Sequence, residues 1–486
     1  MERAAIRTDV TGVPNRTALP ATALMPWLVA AGFYVVTLLV GEKLLTDPDS
    51  YWHLVVGNWI VGHRAFPVTD PFSFTFNGQP WIAKEWLSQV LYAGAHGLLG
   101  WTGMAGLAAA AVAVAFGLLT RFLLDHIRPL PVLVFVAAAF MLTAPHLVAR
   151  PHALALPVMV AWAGLLVRAN DRGRTPSLWL LPLMTLWANL HGGFTLGLLL
   201  TGAIGLDAIV KAPPEARAAT ALRWVGFGAA ALAAACITPY GPESILVTFR
   251  ILGLGPALSI IAEWQPADFG RPGGLELVLL LGFGALLWRG LVLSPVRILT
   301  LLGLLHLALS AERNGEILGL VAPLLLAAPL AAQYRALAGA GNPGDGRGRT
   351  AGALIAAAAI VAATATLGSG LAPDPRITPA GAVAALKAAS PGPVLNDYDF
   401  GGYLVYSGVP PFIDGRTELY GGNFVISHHR AVTLSDLPGL LDLLDRYRIG
   451  ATLLRPQTPA VAYLDRSPGW RRLYADDTAV VHVRVK

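Results

Sequence analysis

Charge is scarce in this 486-residue chain: Asp, Glu, Lys and Arg make up 13% of it, about half the share usual in soluble domains. That excludes a fully water-soluble enzyme. Cysteine is scarcer still, with Cys236 alone inside the apolar run Val225–Ile237, so the chain can form neither an internal disulfide nor a thiolate metal site. Redox chemistry is excluded with them. Basic residues outnumber acidic ones by 35 to 29, yet they form no run and no stripe of Arg with aromatics, which leaves nucleic-acid binding without support. A GxxxxGK motif ending in Ser or Thr is also missing, and with it the phosphate cradle of ATP-driven transport.

What fills the chain instead is apolar sequence, 55% of residues at a mean hydropathy of +0.59. About eleven windows approach the roughly 17–25 residues that span a bilayer as a helix. They lie at 26–45, 101–120, 129–148, 153–168, 177–190, 193–210, 221–238, 274–289, 296–310, 315–333 and 351–368. Several contain proline (Pro157, Pro182, Pro323), which a bundle tolerates because neighbouring groups satisfy the freed carbonyl. Lys and Arg favour alternate loops by about two to one when residues 1–25 are counted as inside. This bias predicts a cytoplasmic N-terminus, and an odd number of spans then puts the C-terminal region outside. No small-residue cleavage site follows the first span, which is read as retained. After a membrane domain at 26–368, Ser369–Pro379 is a Pro/Gly linker and 380–486 is expected to form a soluble α/β domain. Strands are expected at Pro393–Leu395, Tyr403–Tyr406, Phe412–Ile413, Ala451–Leu454 and Ala479–Val485, with helices at Pro379–Ala389 and Leu437–Tyr447. The expected fold class is an α-helical polytopic membrane protein carrying this small C-terminal domain.

Placed on that topology, the unusual polar residues collect at one face. Asp47, Asp49 and His53 follow the first span; Asp70 and Glu85 lie in the long loop 46–89; Arg150, His152 and His191 follow later spans; Glu263, Trp264 and Arg313 fall in the last outer loops. Carboxylates, histidines and arginines beside apolar walls point to a working cavity at the outer membrane face. Within loop 46–89, Trp52, Val55, Val56, Trp59 and Ile60 recur at helical spacing, which predicts a helix along the membrane surface over Tyr51–Gly62. Asp49 would stand at its N-terminus, where backbone amides and the helix dipole keep a carboxylate ionised. Asp70-Pro71 and Asn77-Gly78 mark turns, and a helix resumes over Ala83–Leu98 with Glu85 near its start.

An ordered motif series runs through nearly the whole chain: Asp47-Pro48-Asp49 with Trp52-His53, Asp70-Pro71-Phe72-Ser73, Glu85-Trp86-Leu87, Arg150-Pro151-His152, Asn189-Leu190-His191-Gly192-Gly193, Tyr240-Gly241, Glu263-Trp264, Arg313-Asn314, and Asp414-Gly415-Arg416 ahead of Leu419-Tyr420-Gly421. The series resembles bacterial membrane proteins related to the polytopic GT-C glycosyltransferases, which include protein mannosyltransferases, aminoarabinose transferases and oligosaccharyltransferase catalytic subunits. The resemblance implies a GT-C bundle in a bacterial inner membrane that passes a sugar from a polyprenyl-phosphate or related lipid carrier to a glycan, lipid or protein acceptor. Such a site needs a base for the acceptor hydroxyl, neutralisation of the departing phosphate and a groove for the lipid tail.

On that resemblance Asp49 matches the family's first-loop aspartate and takes the base role, with Asp47 as the alternative. Arg150 and Arg313 suit paired hydrogen bonds to phosphate oxygens, and Lys84 is a third candidate. His53, His152 and His191 are suited to polarise sugar hydroxyls or to join Asp49 and Glu85 around a divalent cation, Mg or Mn, although their spacing holds no compact metal signature. Asp70, Glu85 and Glu263 are candidate sugar or acceptor contacts, and Trp81, Trp86 and Trp264 candidate stacking surfaces. The acid-rich segments Asn396–Asp399 and Asp414–Glu418 of the C-terminal domain suit acceptor binding or docking over the cavity. Each residue also has a plain structural reading as a helix cap, an interfacial anchor or a snorkelling arginine. Two other classes stay open: a lipid-linked saccharide transporter or flippase, which predicts polar residues through the spans and at both faces, and a non-catalytic envelope assembly protein.

Overall fold

Apolar helices that present small residues can pack backbone to backbone in lipid, and the Trp86–Leu123 helix is built that way. Its Ala105, Ala108, Ala109, Val112, Ala113 and Phe116 are buried, and the helix packs against Ala21–Leu39 and Pro151–Asp171. Gly100, at φ 60°, breaks this 38-residue element, so only its second part corresponds to the expected span at 101–120. The computed structural model describes residues 21–339, 346–390 and 392–485; most of the expected N-terminal segment 1–25 lies outside them. Among the described residues, eight helices are long and apolar enough to cross a membrane: Thr22–Leu39, Trp86–Leu123, Pro129–His146, Pro151–Asp171, Phe194–Lys211, Pro214–Ala235, Glu312–Gln333 and Gly348–Leu367. The other three expected windows hold shorter helices, Leu181–Leu190, Gly274–Arg289 and Pro295–Ser310, of 10, 16 and 16 residues, against the roughly 20 that cross the hydrocarbon upright.

The C-terminal residues form a four-stranded sheet. Strands β1 (Val394–Asn396), β2 (Ala451–Leu454), β3 (Trp470–Ala475) and β4 (Val480–Arg484) lie in the order β1-β2-β4-β3, with β1 parallel to β2 and the other pairs antiparallel. Two expected strands are corrected. Tyr403–Tyr406 belongs to the helix Gly401–Tyr406, which buries Leu404 and Val405; a four-residue apolar run does not distinguish strand from helix. Phe412–Ile413 is not a strand either, because the Asn396 side chain satisfies its backbone: Phe412 N–H donates to Asn396 Oδ1 at 2.7 Å, and Asn396 Nδ2 donates to the Ile413 carbonyl at 2.8 Å. Strand β3 escaped the sequence reading, since the Arg-rich edge segment Trp470–Ala475 has no buried residue.

Loop 46–89 forms the expected helix, observed as Asp49–His63, but its apolar stripe has a different partner. Trp52, Val56, Ile60, Trp81 and Ala83 share one core with Leu395, Phe412, Ile413, Leu440 and Leu454 of the C-terminal region. The two indoles expected at a lipid interface are therefore against protein, Trp52 buried and Trp59 half-buried on the same core.

Candidate active site

The Asp47-Pro48-Asp49 turn sets the site by dividing labour between its two acids. Asp49 N–H donates to Asp47 Oδ1 at 2.8 Å, so Asp47 satisfies the first backbone amide of the helix that Asp49 opens after Pro48. Asp49 is thereby free to face Arg150, which stands just ahead of the Pro151–Asp171 helix. Arg150 Nη2 donates to Asp49 Oδ2 at 2.8 Å, while its Nη1 donates to Glu263 Oε2 at 2.7 Å and to Asp47 Oδ2 at 3.2 Å. Arg313 Nη1 donates to Glu263 Oε1 at 2.7 Å and lies over the Trp264 ring at 4.6 Å. Four distant segments thus place three carboxylates on two guanidiniums, and the side chains keep 13% (Asp49) to 22% (Arg313) exposure, which leaves them reachable.

That three-to-two ratio organises the electrostatics. Burial works to raise Glu263, but Arg150 and Arg313 outweigh it and hold Glu263 well below the usual carboxylate range. Asp47 and Asp49 are left to share Arg150 with it: burial raises both, only partly opposed by Arg150, and Asp49 is lifted to about 7. The expectation that the helix end keeps Asp49 fully ionised is therefore corrected; desolvation and neighbouring carboxylates exceed the dipole effect, which is typically below about 1 kcal/mol.

Beside this centre runs a set of imidazoles. His146 Nε2 is 3.6 Å from Glu263 Oε2, His152 Nε2 is 4.0 Å from Glu316 Oε2, His191 Nε2 is 3.4 Å from Glu85 Oε1, and His53 Nε2 is 4.0 Å from Glu85 Oε2. Burial raises Glu85 and drives His53 and His191 down, His191 to about 3, so these two rings are neutral hydrogen-bonding groups. Buried Gln89 Oε1 and Glu316 Oε2 have no hydrogen-bond partner, which leaves acceptor capacity unused inside the cluster. Lys84 Nζ pairs with Glu418 Oε1 of the C-terminal region at 2.9 Å. A wide-mouthed groove of about 540 Å³ is lined by Trp86, Leu87, Pro182, Leu186 and Ile237, with the Trp86 Nε1 to Asn189 Oδ1 hydrogen bond of 2.7 Å at its edge; its lining includes none of Asp47, Asp49, Arg150, Glu263 and Arg313.

The structure brings together Asp47, Asp49, Arg150, Glu263, Trp264 and Arg313, and next to them His53, Glu85, His152 and His191. Asp70 is different: fully buried, its carboxylate is occupied by Phe72 N–H, the Ser73 backbone and hydroxyl, and Arg416 Nη1 at 2.6 Å, which leaves no acceptor position for a sugar. Trp81 is covered by the Arg416 guanidinium at 4.8 Å and offers no free face. His146 and Glu316 escaped the sequence reading, and Glu418 belongs to the segment expected at the acceptor rather than beside Lys84; an acid two residues after Arg313-Asn314 at the start of an apolar helix is the signal available for Glu316. Among the described residues no group of three or more His, Cys, Asp or Glu is placed to hold a metal ion. Of the set suggested for a divalent cation, Asp49 faces the Arg150 guanidinium whereas Glu85 lies between His53 and His191.

No protein-family model and no curated protein matches the chain. Among solved structures it is similar to the oligosaccharyltransferase AglB of Archaeoglobus fulgidus, in complex with an inhibitory peptide and a dolichol-phosphate: TM-score 0.52 at 12% identity, covering 89% of this chain and 69% of that one. It is also similar to ArnT from Cupriavidus metallidurans bound to undecaprenyl phosphate (TM-score 0.48, 14% identity, 94% and 98% covered) and to the mycobacterial arabinofuranosyltransferase AftD (0.49, 13%, 96% and 40%). The chain is a multi-pass helical membrane protein. Its fold is similar to that of the archaeal oligosaccharyltransferase AglB.

Proposed function

We propose that the protein is a membrane glycosyltransferase that moves a sugar from a polyprenyl-phosphate-type donor to an extracytoplasmic hydroxyl, with Asp49 as general base. The observation that carries this is the partly exposed Asp49 carboxylate, lifted to about 7 and held at 2.8 Å by Arg150. A base is most effective when its pKa lies near the working pH. On donor binding, Arg150 and Arg313 exchange carboxylates for phosphate oxygens, with Lys84 leaving Glu418 to join them; Asp49, relieved of its counter-ion, becomes the stronger base. Its free oxygen takes the acceptor's proton as the acceptor oxygen bonds to the anomeric carbon and the bond to the phosphate oxygen breaks. Attack from the opposite face inverts that carbon. The phosphate leaves as an anion neutralised by the guanidiniums, and Asp49 returns its proton to water.

His53, Glu85, His152 and His191 would orient sugar hydroxyls, and the open, mostly apolar groove beside Trp86 suits part of an isoprenoid chain. The dolichol-phosphate in the AglB structure supports the lipid-phosphate class of donor. The reading places the protein in a bacterial inner membrane, with the N-terminus cytoplasmic and residues 380–486 in the periplasm beyond a 369–379 linker. The test is turnover of defined polyprenyl-phosphate sugars by the purified protein and by Asp49→Asn. Undiminished transfer by the variant removes Asp49 from the base role; inactivity of the wild type across donors favours a saccharide transporter or a non-catalytic assembly protein.

A further inference from the structure

Two glycines of the C-terminal region lie against the Asp47-Pro48-Asp49 turn, and neither position has room for a side chain. A Cβ on Gly415 would stand 1.8 Å from Asp49 Oδ1 and 2.6 Å from its Cγ; one on Gly402 would stand 2.3 Å from the Pro48 carbonyl oxygen. Neither glycine has a positive φ, so close approach, not backbone conformation, is what requires glycine there. The loop that carries Gly415 is itself fixed. Asp414 accepts from Arg416 Nε at 2.8 Å, Arg416 Nη2 at 2.6 Å and Tyr420 Oη at 2.9 Å, all buried, and Arg416 reaches on to Asp70. Gly402 sits in the Gly401–Tyr406 helix, whose Tyr403 and Tyr406 rings lie 5.0 and 5.1 Å from that of Tyr51.

We propose that Gly415 and Gly402 are positioning residues for Asp49, so that the C-terminal domain forms one wall of the catalytic centre and is not an accessory docked over it. The Asp49 carboxylate is confined between Arg150 on one side and Gly415 on the other. The other charged or titratable groups that face it are Asp47, Glu263 and Tyr398; the Tyr398 phenol is hydrogen-bonded to Thr417 at 2.7 Å and is held well above its ordinary value by burial and by Asp49. A methyl group at 415 forces the carboxylate to move by about an ångström, enough to cost on the order of 10²-fold in rate.

The activity readout rests on the glycosyl-transfer reading; the second readout does not. The full chain is prepared in lipid nanodiscs as wild type, Gly415→Ala, Gly402→Ala and the control Gly469→Ala, whose Cβ would meet nothing within 4 Å. With a polyprenyl-phosphate sugar, Gly415→Ala is expected to lower kcat about 10- to 100-fold, to leave donor KM within about threefold, and to move the acidic limb of the pH profile upward by about one unit as Asp49 loses Arg150. Gly402→Ala follows in the same direction and Gly469→Ala matches wild type. The second readout is the pH midpoint at which a hydrophobic carbodiimide, which reacts with the protonated carboxyl, labels Asp49, followed by mass spectrometry; it is expected to shift by the same amount in Gly415→Ala. Wild-type kcat with an unshifted midpoint overturns the proposal, as does a lowered Tm with an unshifted midpoint, which makes Gly415 a packing residue. A wild type that turns over no donor overturns the glycosyl-transfer reading, and the labelling midpoint then decides this proposal by itself.

Discussion

Both ends of the helical bundle gather carboxylates around guanidiniums, and the two clusters differ in balance and closure. The Pro151–Asp171 helix joins them, with Arg150 ahead of its first residue and Asp171 at its last, roughly 30 Å apart at 1.5 Å per residue. At the Asp171 end, Arg297 donates to Asp207 Oδ2 at 3.1 Å, to Asp171 and to the Leu325 carbonyl at 3.0 Å, while Lys211, at 2.5 Å, and Asn170, at 2.7 Å, also reach Asp207. Two acids meet two cations, and Arg297 and Asp207 are 3% and 2% exposed. At the Arg150 end three acids share two cations and stay reachable. Identical residue types therefore make a balanced knot around the buried Arg297–Asp207 pair that ties helices together, and a centre with a carboxylate to spare.

The comparison can be broken at either end. The largest effect is expected from Asp49→Asn, which should lower kcat by roughly 10²- to 10⁴-fold in steady-state turnover while the protein stays folded. At the other end, Arg297→Ala leaves Asp171 and Asp207 facing Lys211 alone and should cost about 3–5 kcal/mol in denaturant unfolding; a variant as stable as wild type would falsify the structural role of the knot. Proton uptake sharpens the contrast. Below pH about 7, kcat/KM should rise about tenfold per unit as Asp49 loses its proton, then level off. Stability runs the other way. Because Asp49 holds its proton more tightly folded, at about 7 against 3.8 unfolded, its contribution is present below the unfolded value and is lost as pH rises through about 7. Asp49→Asn should accordingly flatten the fall of Tm between pH 4 and 7. A smaller effect is expected from Lys84→Ala, about tenfold in donor KM through one charge-assisted contact. The smallest is Trp264→Leu, where loss of the ring under Arg313 is worth roughly 0.5–1 kcal/mol, a few-fold in KM.

How much of this was legible in the sequence varies by residue. Asp47, Asp49, Arg150 and Arg313 were all read as site candidates because each is a charge beside an apolar span, where charge is costly and needs a reason. The division of roles inside the Asp-Pro-Asp turn is not legible: both acids sit at the start of the same helix, and only the 2.8 Å bond from Asp49 N–H to Asp47 shows which one is held by the backbone. The spacing of Trp52, Val56 and Ile60 predicts the helix that forms, but not that protein rather than the bilayer covers it. An apolar stripe reports that it will be covered, not by what, and the C-terminal core covers it.

The sequence by itself determined the helices, their apolar character and the presence of charged groups between them, because hydrophobic length and helical periodicity are local properties of the chain. Tertiary structure alone decided that Glu263 takes both guanidiniums, that Asp49 is left near neutrality, and that a glycine from residue 415 closes the space beside it. Those outcomes depend on how many charges share one volume and how near two backbones come, and segments hundreds of residues apart acquire such quantities only when folding brings them together.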